Sequence, residues 1–233
     1  MISIIIPVLN EASFIGRLLT YLTENFSVDY ISEIIVVDGG STDATPAIVK
    51  NFDPINKHRI TLAKTDTGRA KQMNFGAKKA SGTILYFLHV DSLPPIGFDA
   101  LIVNEVKKSN EAGCFRIQFD SSHWWLQLAG WFTQFNWRLC RGGDQSLFIT
   151  RTLFNKLGGY DEDYLIYEDQ ILIHALYSRK QFVVIDKKLQ TSARMYRKHG
   201  IFKLQYFYWR IYLKRWLGAD ADALYKYYKK WVA

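Results

Sequence analysis

The stretch from Thr83 to Pro95 reads T-I-L-Y-F-L-H-V-D-S-L-P-P. Its first half, Ile84 to Leu88, is an unbroken apolar run rich in β-formers. Such a run suits a strand buried on both faces, as in a parallel sheet. Polarity then arrives at His89, Asp91 and Ser92, and Pro94–Pro95 cannot continue a central strand. A carboxylate at the carboxyl end of a buried strand sits where open α/β sheets place their ligands. Asp91, with an imidazole two residues earlier, is therefore a partial site for a divalent cation. The alternative is an Asp that simply opens a turn before the two prolines.

Upstream, the same pattern repeats. Ser3–Val8 is a β-like run, and Asn10 or Glu11 can start a helix from Ala12 to about Asn25, with Phe14, Ile15, Leu18, Leu19 and Leu22 at helical spacing. Ile34–Val37 is a second buried strand that ends in D-G-G-S-T-D, and Ser41, Thr42 or Asp43 can cap a helix over about Ala44–Asn51. Ile60–Lys64 is a short third strand. Gly68-Arg69-Ala70-Lys71-Gln72-Met73-Asn74 opens a helix that Gly82 stops, and Ile84–Leu88 follows. The alternation of strand and helix predicts an α/β fold, a mainly parallel central sheet flanked by helices.

The residues after the strands narrow the chemistry. There is no G-x-x-x-x-G-K-[ST] run and no G-x-G-x-x-G after the first strand. Asn10, Glu11, Asp38 and Asp43 are acceptors that suit base and ribose hydroxyls better than phosphates. Arg69 at a helix start suits an anion. The plainer alternatives are turn and cap roles for Asp38 and Asp43, and a solvent-facing Asn74.

At 233 residues and 48% hydrophobic, the chain is one large domain, or one domain with an extension. Cys114 and Cys140 form neither a metal spacing nor a disulfide framework, so a reducing compartment is the default. The N-terminus lacks a basic region before its strand, and no apolar run reaches the ~20 residues of a membrane span. The expected location is the cytoplasm, with contact to the inner face of the plasma membrane left open. Net charge is +8, and basic residues concentrate after Arg194. They can attract phosphate, anionic lipid or nucleic acid, or form a solvated helix face.

The second half carries a strand-like run at Gly113–Phe119, then an aromatic stretch over His123–Arg138, read as core packing or as a groove for sugar or lipid. Ser146–Thr150 is a strand, Arg151–Leu157 a helix, and Gly158–Asp161 a turn. Glu168 and Asp169 precede an apolar helix, Ile171–Tyr177, where simple N-terminal capping is the alternative role. Val183–Ile185 is a last strand, Arg194–Gly200 a basic loop, and Ile201–Leu217 and Ala221–Lys230 are aromatic helices.

Taken in order, P-x-x-N-E (Pro7, Asn10, Glu11), V-D-G-G-S-T-D (Val37–Asp43), G-R-A-x-Q-M-N (Gly68–Asn74), the Asp91 element, G-G-D-Q (Gly142–Gln145) and E-D-Q (Glu168–Gln170) resemble family 2 glycosyltransferases of the GT-A fold. The closest likeness is to a small bacterial branch with G-R-x-x-Q-M-N and a late S-A-R-x-Y-R stretch, here Ser192–Arg197. The resemblance covers about residues 1–200. It implies a nucleotide-binding half over 1–95, an acceptor and catalytic half over 96–200, and a basic aromatic extension over 201–233.

The resemblance also implies roles. Pro7, Asn10, Glu11, Asp38 and Ser41 would hold the base and ribose of a nucleoside-diphosphate sugar. Arg69, Gln72 and Asn74 would line the nucleotide side. Asp91 would bind a divalent metal, Mn or Mg, that bridges the diphosphate. Arg194, Arg197 and His199 would meet the phosphates, with His199 also a candidate metal ligand. Asp144 and Gln145 would lie on the acceptor side. Asp169, ahead of Glu168, would be the general base of an inverting transfer to an acceptor hydroxyl, lipid-linked acceptors included. One departure stands out: the family's D-x-D is His89-Val90-Asp91 here. An imidazole does not suit Mg²⁺ and is compatible with Mn²⁺.

The rival readings are a non-catalytic nucleotide-sugar-binding or membrane-docked adaptor, and a nucleotidyltransferase, against which the absence of a Gly-rich loop after the first strand argues. No nucleic-acid partner is expected. The last helices, with Phe202, Trp209 and Trp216 among Lys203, Arg210 and Lys214, suit a membrane surface, packing on the catalytic domain, or a dimer contact.

Overall fold

The structure, a computed structural model, describes residues 1–52 and 60–232. Its centre is an eight-stranded sheet of order β3-β2-β1-β4-β7-β6-β8-β5. These strands are β1 (Ile2–Val8), β2 (Ile31–Asp38), β3 (Ile60–Lys64), β4 (Ile84–Phe87), β5 (Ser92–Leu93), β6 (Ala112–Phe119), β7 (Leu147–Thr150) and β8 (Val183–Thr191). The helices are α1 (Ala12–Asn25), α2 (Thr45–Lys50), α3 (Arg69–Lys79), α4 (Phe98–Lys107), α5 (Trp124–Phe132), α6 (Arg151–Leu157), α7 (Glu168–Ser178), α8 (Arg194–His199), α9 (Ile201–Trp216) and α10 (Ala221–Trp231).

β1 shows why the sheet is a middle layer. Successive side chains of a strand point to opposite faces. Ile4, Ile6 and Val8 pack with Ile15, Leu18, Leu19 and Leu22 of α1 and with Phe98 and Ile102 of α4. Ile5 packs on the other side with Val37, Met73, Ala77, Leu153 and Leu172. Both faces are covered, so the strand reads as a continuous apolar run. α3 lies close enough that a Cβ on Gly76 would stand 2.5 Å from Cγ2 of Ile5.

The sheet is mixed. β3, β2, β1 and β4 run parallel, while β7 is antiparallel to both β4 and β6, and β5 is antiparallel to β8. The parallel expectation holds for the first half, where helices connect the strands. Antiparallel β7, which lies between β4 and β6, and β5, on the edge beside β8, make the sheet mixed; both pair with strands distant in sequence.

Several boundaries differ from the sequence reading. β2 and β8 are longer, because pairing to β1 and β6 carries polar residues such as Glu33, Lys188 and Gln190 into ladders. The basic segment Arg194–His199, expected as a loop, is the helix α8. The aromatic stretch is helical only over α5, and its Trp124, Trp131 and Trp137 are 60%, 49% and 58% exposed, so they do not fill a core. α4 spans a stretch for which no element was expected. Leu204, Phe207 and Val232 form a separate small core that joins α8, α9 and α10.

Candidate active site

The carboxyl ends of β1, β2 and β4 open on one edge of the sheet. Asp38 ends β2 and is fully buried. Its Oδ1 accepts from the Ser41 amide at 2.9 Å, and its Oδ2 is buried with no partner. An unpaired buried carboxylate oxygen is costly unless a ligand donates to it. The loops after β1 and β2 are tied together around it. The Asn10 amide donates to Ser41 Oγ at 2.8 Å, the Thr42 amide donates to Asn10 Oδ1 at 2.8 Å, and the Glu11 amide donates to Thr45 Oγ1 at 2.8 Å. Asn10 holds a left-handed conformation (φ 55°), which Asn tolerates better than most residues. Pro7 lies within β1, opposite Val37. Asp43 accepts from the Thr45 and Ala12 amides at 2.9 and 3.0 Å, and so links the starts of α2 and α1.

Gln72 and Asn74 on α3 are committed to the protein's own backbone. Gln72 Nε2 donates to the carbonyls of Val8 and Val37, both at 2.8 Å, and so pins the ends of β1 and β2. Gly39 leaves room for it, since a Cβ there would lie 3.0 Å from the Gln72 amide. Asn74 exchanges hydrogen bonds with Tyr160, through its Nδ2 at 2.8 Å and its Oδ1 at 2.9 Å. That contact needs Gly159, whose φ is +78° and whose Cβ would stand 2.7 Å from Asn74 Oδ1.

Arg69 at the start of α3 meets the start of α7. Its Nε donates to Glu168 Oε1, and its Nη2 is 3.7 Å from Asp169 Oδ2. The Glu168 side chain is 0% exposed and that of Asp169 is 13% exposed. Glu168 is therefore sealed under Arg69, while Asp169 reaches a narrow crevice with His89, Gly142, Ser146 and Tyr160. Burial pushes the Asp169 carboxyl above the ordinary range; Arg69 opposes this and Asp144 adds to it. Glu168 is pushed up by burial as well, against the pull of Arg69. Burial disfavours the Arg69 cation, but Glu168, Asp169 and Asp144 outweigh it and keep the guanidinium charged.

Asp91 follows β4. Its Oδ2 lies 2.9 Å from Arg194 Nε, and the other two nitrogens of Arg194 donate to Glu11 at 2.7 and 2.6 Å. The guanidinium also stacks on Phe14, 4.6 Å from the ring centroid. The end of β8 delivers Arg194 there: β5 pairs with Gln190–Thr191, and the Ser192 amide donates to the Asp91 carbonyl at 3.2 Å. Burial raises Asp91, and Arg194 and His89 pull it back. Burial, and then the charge of Arg69, lower the His89 imidazole from its ordinary value. Among the described residues, no three His, Cys, Asp or Glu side chains assemble into a metal cage. A cation at Asp91 would therefore find no complete protein cage, and the rest of its shell would fall to other oxygens. His199 has a buried Nε2 without a hydrogen-bond partner. Arg197 forks onto Asp120 at 2.9 and 3.1 Å, an ion pair that anchors α8.

Asp144 is exposed in a 3-10 turn, close enough to raise Asp169, Asp91 and Arg69. Gln145 is buried; its Oε1 accepts from the Gly142 amide at 3.2 Å and its Nε2 is unpartnered. The sequence reading gave no role to Arg141. Its guanidinium is buried, donates to the carbonyls of Thr133 and Phe135 at 2.6 Å each, and so braces the loop below Asp144. Gln170 clasps the same segment by donating to the Arg141 carbonyl at 2.7 Å. An Arg beside a Gly-Gly pair is the only signal that hints at this brace.

Comparison with known proteins identifies the family. The model described as Glycosyl transferase family 2 matches residues 3–182. The PGL/p-HBAD biosynthesis glycosyltransferase of Mycobacterium tuberculosis is 31% identical over 178 residues, covering 72% of this chain and 66% of that relative. Among solved structures, Staphylococcus aureus TarS 1-349 in complex with UDP superposes with a TM-score of 0.67 at 20% identity, over 82% of this chain and 60% of that one. The mannosyltransferase PcManGT of Pyrobaculum calidifontis, in complex with GDP-Man and Mn²⁺, gives a TM-score of 0.65 at 21% identity, over 97% and 69%. The chain belongs to glycosyltransferase family 2, and its fold is the GT-A fold of these neighbours.

Proposed function

We propose that this family 2 glycosyltransferase moves a sugar from a UDP- or GDP-sugar to an acceptor hydroxyl, with inversion at the anomeric carbon. One observation carries the reading. Asp38, Asp91 and Asp169 converge on one edge of the sheet, each beside an unpaired oxygen, a cation or a crevice. The neighbours crystallised with UDP and GDP-Man support the donor class.

In this reading Asp38, with the Asn10–Ser41 loop, takes the nucleoside. Glu11 and Pro7 border it, and α3, held by Gln72 and Asn74, supplies Arg69. Arg194 is the cation nearest the diphosphate. Asp91, with His199 as a further candidate ligand, would hold a divalent metal, Mn²⁺ or Mg²⁺, which would supply positive charge against the leaving group. Arg197, tied to Asp120, sets the position of α8.

Asp169 takes the proton from the acceptor hydroxyl. That oxygen bonds to the anomeric carbon while the bond to the diphosphate breaks, and the nucleoside diphosphate leaves with the electron pair. Glu168 is sealed and held by Arg69, so one carboxylate faces the crevice. One base without a second carboxylate as nucleophile favours direct in-line displacement, hence inversion. Asp144 and Gln145 flank the acceptor side, where a lipid-linked hydroxyl is one acceptor class.

Asp169→Asn tests the assignment. Donor affinity should be unchanged while transfer falls by about 10²–10⁴-fold. Undiminished transfer would remove Asp169 from the role.

A further inference from the structure

α9 is apolar on two opposite sides. Leu204, Phe207 and Ile211 face inward and are buried. Phe202, Tyr206, Trp209, Leu213 and Trp216 recur at steps of three and four on the outside, with exposures of 58%, 51%, 56%, 47% and 82%. A helix at the surface of a globular domain normally keeps its outer face polar.

α5 extends this face. Phe202 lies 6.3 Å from Trp124 and 6.2 Å from Trp125, and Trp125 lies 6.2 Å from Trp209, centroid to centroid. Trp124, Leu128, Trp131 and Phe132 form the exposed stripe of α5, and Trp131, Phe135 and Trp137 continue it ring against ring at 5.1 and 4.8 Å. A contiguous exposed apolar patch of this kind marks an interaction surface.

The charge of the two segments selects the partner. Residues 121–143 and 187–219 contain no Asp or Glu. Arg138, Lys198, Lys203 and Arg210 are exposed within them. A second copy of the chain would bring like charge against like charge. Nucleic acid would use the cations and the rings, but exposed Leu128, Leu139, Leu213 and Leu217 offer it nothing. An anionic bilayer uses all three: cations at the headgroups, Trp and Tyr at the interface, Leu and Phe in the acyl boundary. Among the described residues no helix is long and apolar enough to cross a membrane, so contact would be along the surface.

We propose that the joint α5–α9 face docks on the interface of an anionic lipid bilayer. The face borders the site: Tyr212 touches Tyr167 at 5.4 Å, directly before Glu168 and Asp169, and Arg215 lies over Tyr164 at 5.6 Å. Docking itself is independent of catalysis. Its consequence, an acceptor presented from the membrane, rests on the transfer reading above.

Flotation of the full chain with vesicles of phosphatidylcholine, alone or mixed with phosphatidylglycerol, tests the docking. All seven Trp residues lie between Trp124 and Trp231, so their emission reports the same event. The native chain should float with the anionic vesicles, shift its emission to the blue, and release at high salt. The triple variant Trp209→Ser, Leu213→Ser, Trp216→Ser should lose vesicle affinity by at least about tenfold. Lys203→Glu with Arg210→Glu alters no apolar side chain and should lose about tenfold or more on anionic vesicles alone. Val28→Ser, on the loop after α1, should bind as the native chain does. UDP and GDP titrations on these variants should match the native chain, so a failure of docking is separable from a failure of the donor site. Native protein left unfloated by both vesicle types, variants that float like the native chain, tighter binding to an RNA duplex than to vesicles, or a native dimer that the triple variant abolishes would each overturn the proposal.

Discussion

Arg194 Nε stands 2.9 Å from Asp91 Oδ2. The same guanidinium forks onto Glu11, 183 positions away in the chain. One cation thus joins the segments that follow β1, β4 and β8, and it meets two carboxylates that would otherwise repel. In the proposed transfer, a diphosphate arriving at Asp91 would find this cation already in place.

Replacing it should be felt first by the phosphates. Arg194→Ala should weaken nucleoside-diphosphate binding by about 1.5–3 kcal/mol, the range for hydrogen bonds to charged groups. The parent nucleoside should bind nearly as before. Arg194→Lys should recover part of the loss, because a single ammonium cannot span Glu11 and Asp91 as a fork does. Calorimetry with the nucleoside and its diphosphate separates these outcomes, and equal losses for both would contradict the assignment.

Gln72 is a structural pin at the proposed donor edge. Gln72→Leu leaves the Val8 and Val37 carbonyls without their donor and should cost about 2 kcal/mol of stability. Urea unfolding should show a lower midpoint with an unchanged slope. Donor affinity should fall with it, since the strand ends carry Asp38 and the Asn10 loop. A variant as stable as the native chain would show that the pin is dispensable.

The pH profile follows from Asp169. Its carboxyl is raised by burial above the ordinary 3.8, so it stays protonated in mild acid, where an exposed Asp is already ionised. The acidic limb of kcat should therefore lie above that value. Asp144 contributes to the raise, so Asp144→Asn should move the limb to lower pH. The stability sign is the reverse of an ion-paired Asp. A raised native-state pKa contributes stability at low pH that is lost as pH rises through it. Asp169→Asn should therefore melt no lower than the native chain at neutral pH. A lower melting temperature, or a limb that ignores Asp144, would contradict this.

The first half of the fold was legible because each of its signals is local. Ser3–Val8 and Ile34–Val37 announce themselves as short runs of β-formers, and the α1 stripe by its helical period. The second half depends on pairing between distant residues. The sequence marks only Val183–Ile185 as the last strand, yet pairing with β6 extends β8 to Thr191, and that extension carries Arg194 to Asp91. The candidate residues were legible by type and order. Their present partners were not: nothing local says that Gln72 and Asn74 bind backbone, or that Arg197 is spent on Asp120. The aromatic stretch shows the same limit. Periodicity marks an apolar stripe without saying whether protein or something else covers it, and in α5 and α9 the outer stripe is bare.

The most direct measurement is calorimetric titration of the native chain with UDP, GDP, CDP and TDP, each with Mn²⁺, Mg²⁺ or EDTA. The account predicts that UDP or GDP binds with a dissociation constant of about 1–100 μM, tighter with the metal than with EDTA, and that Asp38→Ala abolishes it. Absence of binding by all four diphosphates under every cation condition would contradict the donor site and with it the proposed transfer.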